Sequence, residues 1–289
     1  MAKKIINFLE ELEEKNFDID TQLEPLKKEI KKTLVKDGTM KKDEKITDES
    51  FSTYYFYYKN KDKEDENGYR LKLQKTPHLQ LIYQPTCKNK KIEFENKLKQ
   101  MNTLFDGVPI LGDISFDKLI IDNQQKNKVF QEMKKIVKDF KNTNKGFYLY
   151  GSFNTSKTFF LKALAQELIN KKINVLFLHM SSLTRKFKSF LYNNLLETRF
   201  EELRQIECLI LDDLGAESIT PWFRDEILLP LLHYRAEKKL PLFISSNYNF
   251  LQLRTHLTTN NFDNNLKANK IVAKIDLITQ FYDFSQKSS

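Results

Sequence analysis

Eight residues, Gly151-Ser152-Phe153-Asn154-Thr155-Ser156-Lys157-Thr158, have the types and spacing of a phosphate cradle. The apolar run Phe147–Tyr150 precedes them, and a helical pattern follows at Phe160, Leu161, Leu164, Ala165 and Leu168. Strand, loop, Lys-Thr, helix is the order in which a nucleoside triphosphatase holds its nucleotide. Loop N–H groups face the phosphate oxygens, and the start of the helix adds its positive end. Lys157 would reach the outer phosphates, and Thr158 would hold Mg²⁺. The full motif, G-x-x-x-x-G-K-[ST], wants glycine before the lysine, where this chain has Ser156. A side chain in left-handed backbone costs roughly 1–2 kcal/mol, although asparagine, here Asn154, tolerates that region better than most. The stretch is nucleotide-binding by placement and altered in composition. An ordinary strand-turn-helix with a chance Lys-Thr pair is the plainer alternative.

Two further strand ends carry polar groups that belong with such a cradle. Cys208-Leu-Ile-Leu runs into Asp212 and Asp213, one strand-helix unit after Lys157. Carboxylates there lie at the C-terminal edge of a sheet, where open α/β folds bind ligands. Asp212 would hold Mg²⁺, directly or through water, and Asp213 would orient or deprotonate an attacking water. Ile244-Ser245-Ser246-Asn247 ends the next strand and brings Asn247 towards a γ-phosphate, or is simply a polar turn. His78, His179, His233 and His256 are scattered, with no metal-ligand spacing.

These residues need a sheet to hold them. From 146 onward the pattern alternates: strands at 147–150, 175–178, 208–211 and 242–245, and helices at 157–170, 183–195, 198–204, 222–237, 250–257 and 266–279. Alternation of this kind predicts a mainly parallel sheet with helices on both faces. Before it, the spacing of Ile5, Ile6, Phe8, Leu9 and Leu12, then of Leu26, Ile30 and Leu34, predicts helices over 1–36. Phe51–Tyr58 (FSTYYFYY) has strand composition, its alternate rings filling a core or else offering a base-stacking or partner-binding surface. Residues 69–73 and 79–83 predict further strands, 91–102 a connecting helix, and 123–140 a helix that opens the second unit. The expected division is an α+β domain over 1–98, a linker over 99–114 and an α/β domain over 115–289.

Composition sets the outer limits. The formal charge is +9 over 289 residues, but only seven of the 48 basic residues are arginine. That bias towards lysine fits a skewed genome as well as a basic surface, so it carries little weight for nucleic-acid binding. Cys87 and Cys208 suit a reducing compartment and cannot build a cysteine-rich zinc site. No apolar run approaches the roughly 18 residues of a membrane span, and the N-terminus does not resemble a signal peptide. A cytoplasmic protein without membrane attachment is expected.

Four strings together resemble a known family: Gly146-Phe-Tyr-Leu-Tyr-Gly151-Ser-Phe, Leu211-Asp-Asp-Leu-Gly215-Ala-Glu217, Trp222-Phe-Arg224-Asp-Glu-Ile and Ser246-Asn247-Tyr-Asn-Phe250. The chain is similar across about 115–284 to bacterial helicase loaders of the primosomal DnaI/DnaC type, nearer to DnaI. Insertion-sequence helper ATPases are relatives of that group. The resemblance implies a P-loop AAA+ domain that binds ATP and Mg²⁺. Lys157 and Thr158 become its Walker A pair, Asp212 and Asp213 its Walker B pair, and Asn247 its γ-phosphate sensor. It also implies an N-terminal domain that grips the replicative hexameric helicase, and an ATPase domain that meets single-stranded DNA and neighbouring loaders.

The chain departs from that pattern at three points. Asn154 and Ser156 replace glycines. Arginines expected between Thr258 and Lys274, for sensing nucleotide or reaching a neighbour's phosphate, are absent; Phe262, Lys270 and Lys274 stand near those places and Arg254 is the last arginine. Lysine keeps the charge but loses the planar fork, which predicts slow or lost hydrolysis unless Arg224 or Arg235 substitutes. The N-terminal domain has only Cys87, so no zinc is expected there. A nucleotide-free adaptor that tethers the helicase, and a transposition helper ATPase, are the rival expectations.

Overall fold

The computed structural model describes residues 19–110, 114–218, 220–258 and 262–285. The chain divides into two units, residues 1–95 and 96–289. The expected helix carrying Ile5, Ile6, Phe8, Leu9 and Leu12 lies outside the described residues.

The first unit contains helices α1 (Ile19–Lys36) and α2 (Asp48–Asn60) and the antiparallel strands β1 (Tyr69–Gln74) and β2 (Gln80–Pro85). Its core gathers Ile30, Leu34, Met40, Tyr54 and Leu73. The aromatic run at 51–58, expected as a strand, is helical instead. Thr47 caps α2 by accepting from Ser50 N–H, while the Ser50 hydroxyl accepts from Thr47 N–H. That reciprocal cap outweighs the β-preference of the aromatics, because packing decides the conformation of such residues. Their helical spacing also finds partners: Tyr54 is buried and donates to Glu44 at 2.6 Å, and Tyr58 donates to Glu29 on α1 at 2.9 Å.

Helix α3 (Cys87–Phe105) follows, and Phe105, within the stretch expected as linker, is buried in the core of the second unit. That unit continues with α4 (Gln124–Lys138), β3 (Gly146–Tyr150), α5 (Lys157–Asn170), β4 (Val175–His179), α6 (Met180–Tyr192), α7 (Leu196–Arg204) and β5 (Cys208–Leu214). A π-helical turn at Phe223–Leu228 leads into α8 (Leu229–Lys238). Then come β6 (Leu242–Ser246), α9 (Phe250–Leu257), α10 (Phe262–Ile278) and β7 (Thr279–Asp283).

The five strands β3 to β7 form one parallel sheet in the order β4-β5-β6-β3-β7. Strand β7 was not expected from the sequence; it pairs with β3 and forms one edge of the sheet. Side-chain alternation sorts the strand residues into two cores. Phe147, Leu149, Val175, Phe177, Cys208, Ile210 and Phe243 face α4 and α5. Tyr148, Leu176, Leu178, Leu209, Leu211, Leu242 and Ile244 face α6 to α10. Both faces are therefore covered, as the apolar strands require. No helix among the described residues is long and apolar enough to cross a membrane.

Candidate functional site

The sheet order decides which strand ends meet. β3, β6 and β5 are neighbours, so the loop after β3, Asn247 after β6 and the two aspartates of β5 converge at one edge. A cavity of about 350 Å³ opens there, lined by Phe153 to Phe159, Lys162, Asp213 and Asn247. That volume lies within the range of small-ligand sites.

The cradle keeps its shape despite its side chains. Asn154 has φ 61° and Ser156 φ 69°, both left-handed, the conformation for which glycine is usual. Gly151 has φ 154° and no room for a side chain: a Cβ would lie 2.9 Å from Ser285 N. Ser156 sits immediately before α5 and makes no side-chain cap, so the first N–H groups of that helix have no partner in its hydroxyl.

Lys157 is buried, and its ammonium turns back over the loop. It donates to Gly151 O at 2.7 Å, Ser152 O at 2.8 Å, Asn247 Oδ1 at 3.0 Å and Thr155 Oγ1 at 3.3 Å. All four acceptors are uncharged. Burial lowers the Lys157 pKa, while Asp213 and Asp212 pull it up. Among the described residues Lys157 has no ion-pair partner; a buried cation so placed is costly, and an anion in the adjoining cavity would offset that cost. The residues present therefore fit a bound phosphate chain.

Opposite Lys157, β5 carries a bulge. Leu211 pairs with Ile244 and Leu214 with Ser246, so Asp212 and Asp213 together face Ser245. Bulges re-aim side chains at sites of this kind, and Asp213 takes φ 57° to do so. Asp212 is buried. It accepts from Thr158 Oγ1 at 2.9 and 3.1 Å and from Ser245 Oγ at 2.5 Å. The Thr158 hydroxyl and Asp212 carboxylate thus form an oxygen-rich pair suited to Mg²⁺. Asp213 lines the cavity, and its N–H donates to Ser245 Oγ at 2.9 Å. Burial raises the Asp213 pKa, Asp212 adds to the rise, and Lys157 and His179 oppose it.

Every residue expected at the site from 151 to 158, with Asp212, Asp213 and Asn247, is present at this edge. Two more belong there. Ser245 bridges the aspartates. His179, read as one of four scattered histidines, has Nδ1 at 3.0 Å from Asp212 Oδ2. Its position directly after the apolar run Val175–Leu178 was the available sequence signal; its register pairing with Asp212 is visible only in the sheet. The expected substitutes for the missing arginines behave differently. Arg224 and Arg235 are fully buried: Arg224 donates to Leu257 O and pairs with Asp225, and Arg235 holds carbonyls of Ile206 and Pro241. Lys270 and Lys274 line a separate groove with Leu229, Pro230 and Leu277.

The family model described as IstB-like ATP binding protein matches residues 89–272. The replicative helicase loader DnaI of Bacillus subtilis (strain 168) is 29% identical over 261 residues, which is 83% of this chain and 84% of that protein. The crystal structure of DnaI matches with a TM-score of 0.55 and 29% identity, covering 59% of this chain and 90% of that one. AMPPCP-bound DnaA from Aquifex aeolicus matches with a TM-score of 0.51 and 12% identity, over 61% of this chain and 51% of that one. The last likeness is one of fold alone; together with the DnaI match and the five-stranded parallel sheet, the second unit has the P-loop AAA+ fold.

Proposed function

Because this chain belongs to the IstB-like ATP binding protein family, we propose that it is a primosomal helicase loader that binds ATP·Mg²⁺ and helps place the replicative helicase on single-stranded DNA. The carrying observation is the buried Lys157 ammonium, ringed by neutral acceptors beside the cavity and tied to Asn247 at 3.0 Å. The identity shared with DnaI over most of both chains supports the loader reading.

Each residue has a part in that scheme. The N–H groups of 152–157 and the start of α5 bind the phosphate chain. Lys157 exchanges its loop carbonyls for phosphate oxygens. Thr158 and Asp212 would hold Mg²⁺, which when bound neutralises charge on the outer phosphates. Asp213, with its raised pKa, is a better base near neutrality than an ordinary aspartate. Asn247 reports the γ-phosphate to β6 and, through it, to α9.

Hydrolysis is slow in this scheme. Arg224 and Arg235 serve the interior of their own protomer, so neither reaches a neighbour's phosphate. A trans arginine supplies about 10³–10⁵ in rate where it exists. A nucleotide-free adaptor is the second reading, favoured by the side chains at Asn154 and Ser156. In the loader reading the first unit is the helicase grip. The second unit meets single-stranded DNA and further copies of the loader, and the protein acts in the cytoplasm.

Size-exclusion chromatography of the full chain with a hexameric replicative helicase and an ATP analogue tests the assignment. Co-elution is expected. Separate elution, with capture of a transposase instead, would transfer the protein to transposition. ATP turnover in the same mixture separates loader from adaptor, because the adaptor reading allows none under any condition.

A further inference from the structure

Asp212 has one contact that the phosphate scheme does not use. Its Oδ1 accepts from Ser245 and Thr158, while Oδ2 lies 3.1 Å from Thr158 Oγ1 and 3.0 Å from His179 Nδ1. His179 comes from the end of β4, on the side of β5 away from β6. Its side chain is 39% exposed, so the ring is free to turn without unpacking the core.

An imidazole nitrogen and a hydroxyl oxygen thus both stand beside the same carboxylate oxygen, Asp212 Oδ2. Neighbouring ligands of an octahedral ion with bonds of about 2.1 Å stand roughly 3.0 Å apart, the bond length times √2. The two separations at Asp212 Oδ2 are 3.0 and 3.1 Å. A hydrogen bond fills the second of them now, and cis-ligands of one ion would fill both equally well. The chemistry of the third donor then matters. Mg²⁺ is satisfied by oxygen alone, whereas imidazole suits first-row transition ions. Zn²⁺ prefers a closed tetrahedron, while Mn²⁺ accepts an octahedron rich in oxygen, as phosphate oxygens, Thr158 and Asp212 would supply.

We propose that His179 is a ligand of the nucleotide's metal ion and gives this site a preference for Mn²⁺ over Mg²⁺. The proposal rests on the reading that Thr158 and Asp212 hold the ion that accompanies the nucleotide. The neutral ring, with its proton on Nε2, presents the Nδ1 lone pair to the ion. A histidine that merely orients Asp212 by a hydrogen bond is the competing explanation, and it predicts no bond between nitrogen and metal.

The test is pulsed electron paramagnetic resonance of Mn²⁺ bound with a non-hydrolysable ATP analogue to the full-length chain. The protein carries a heavy nitrogen isotope, so its nitrogen is distinct from that of the nucleotide. Coupling between Mn²⁺ and protein nitrogen is expected in the wild type and absent in His179→Ala. Calorimetry on the same pair should show Mn²⁺ affinity falling by about tenfold or more in the variant, with Mg²⁺ affinity little changed. A wild-type complex that holds both Mn²⁺ and nucleotide without protein-nitrogen coupling overturns the proposal and leaves the nucleotide site standing. A wild type that binds neither ion nor nucleotide defeats the site itself, and the proposal with it.

Discussion

The ammonium of Lys157 stands 3.0 Å from the side-chain oxygen of Asn247, 90 positions further along the chain. The start of α5 and the end of β6 are therefore tied directly to each other. A triphosphate entering the cavity must draw Lys157 away from Gly151 O and Ser152 O. Under the proposed function the site binds by exchanging neutral acceptors for charged ones, an exchange that favours the anion because hydrogen bonds to charged groups are the stronger kind.

Under the proposed function Ser156 is expected to lower nucleotide affinity, and its φ of 69° strains the loop. Restoring glycine removes roughly 1–2 kcal/mol of left-handed strain, offset by about 0.5–1 kcal/mol of added chain entropy. Ser156→Gly should leave thermal stability nearly unchanged and tighten binding of an ATP analogue by about fivefold, near 1 kcal/mol. Calorimetric titration of both proteins checks this. Weaker binding by the glycine variant would mean that the serine hydroxyl is itself a ligand.

Arg235 is a structural residue. It donates to Ile206 O at 2.8 Å and Pro241 O at 2.5 Å from a fully buried position. Arg235→Ala should cost about 3 kcal/mol or more by stranding those carbonyls. Urea denaturation would show it as a shifted midpoint. If stability is unchanged while ATP turnover falls, the guanidinium reaches beyond its own protomer after all.

Glu217 makes stability depend on pH. Its side chain is buried and accepts from Gly215 N–H at 2.8 Å. Burial pushes the carboxyl up to about 7, Asp213 adds to the rise, and backbone donors pull it back. The folded state therefore binds this proton more tightly than the unfolded chain, whose pKa is near 4.5. Stability from this group is complete in acid and declines as pH rises from about 4.5 through about 7, by up to roughly 3 kcal/mol. Glu217→Gln keeps the acceptor and removes the charge. The variant should lack that decline and exceed the wild type in stability at pH 8. Parallel pH profiles for the two proteins would rule out the assignment.

How much of this was legible in the sequence depended on whether the signal was local. The α/β alternation after 146 was, because each strand is a short apolar run and each helix has an apolar face. The places of Lys157 and Thr158 at the start of a helix, and of the two aspartates at the end of an apolar strand, were also legible. The helix at 48–60 was misread: tyrosine and phenylalanine favour strands, and the deciding signal was the cap Thr47-Asp-Glu-Ser50 rather than the rings. Strand β7 went unseen because five residues after a helix carry little periodicity. Ser245 and His179 could not be joined to Asp212 from the sequence alone. That contact depends on β4, β5 and β6 lying side by side, and strand order is set by the packing of the whole sheet.

The central claim is that a triphosphate binds between the end of β3 and the start of α5. Isothermal titration of the full chain with Mg²⁺ and a non-hydrolysable ATP analogue, against Lys157→Ala, tests it most directly. A charge-assisted contact of about 1.5–3 kcal/mol predicts saturable heat for the wild type and affinity about 10- to 100-fold weaker for the variant. Identical isotherms for the two proteins, or no heat from either, would contradict it.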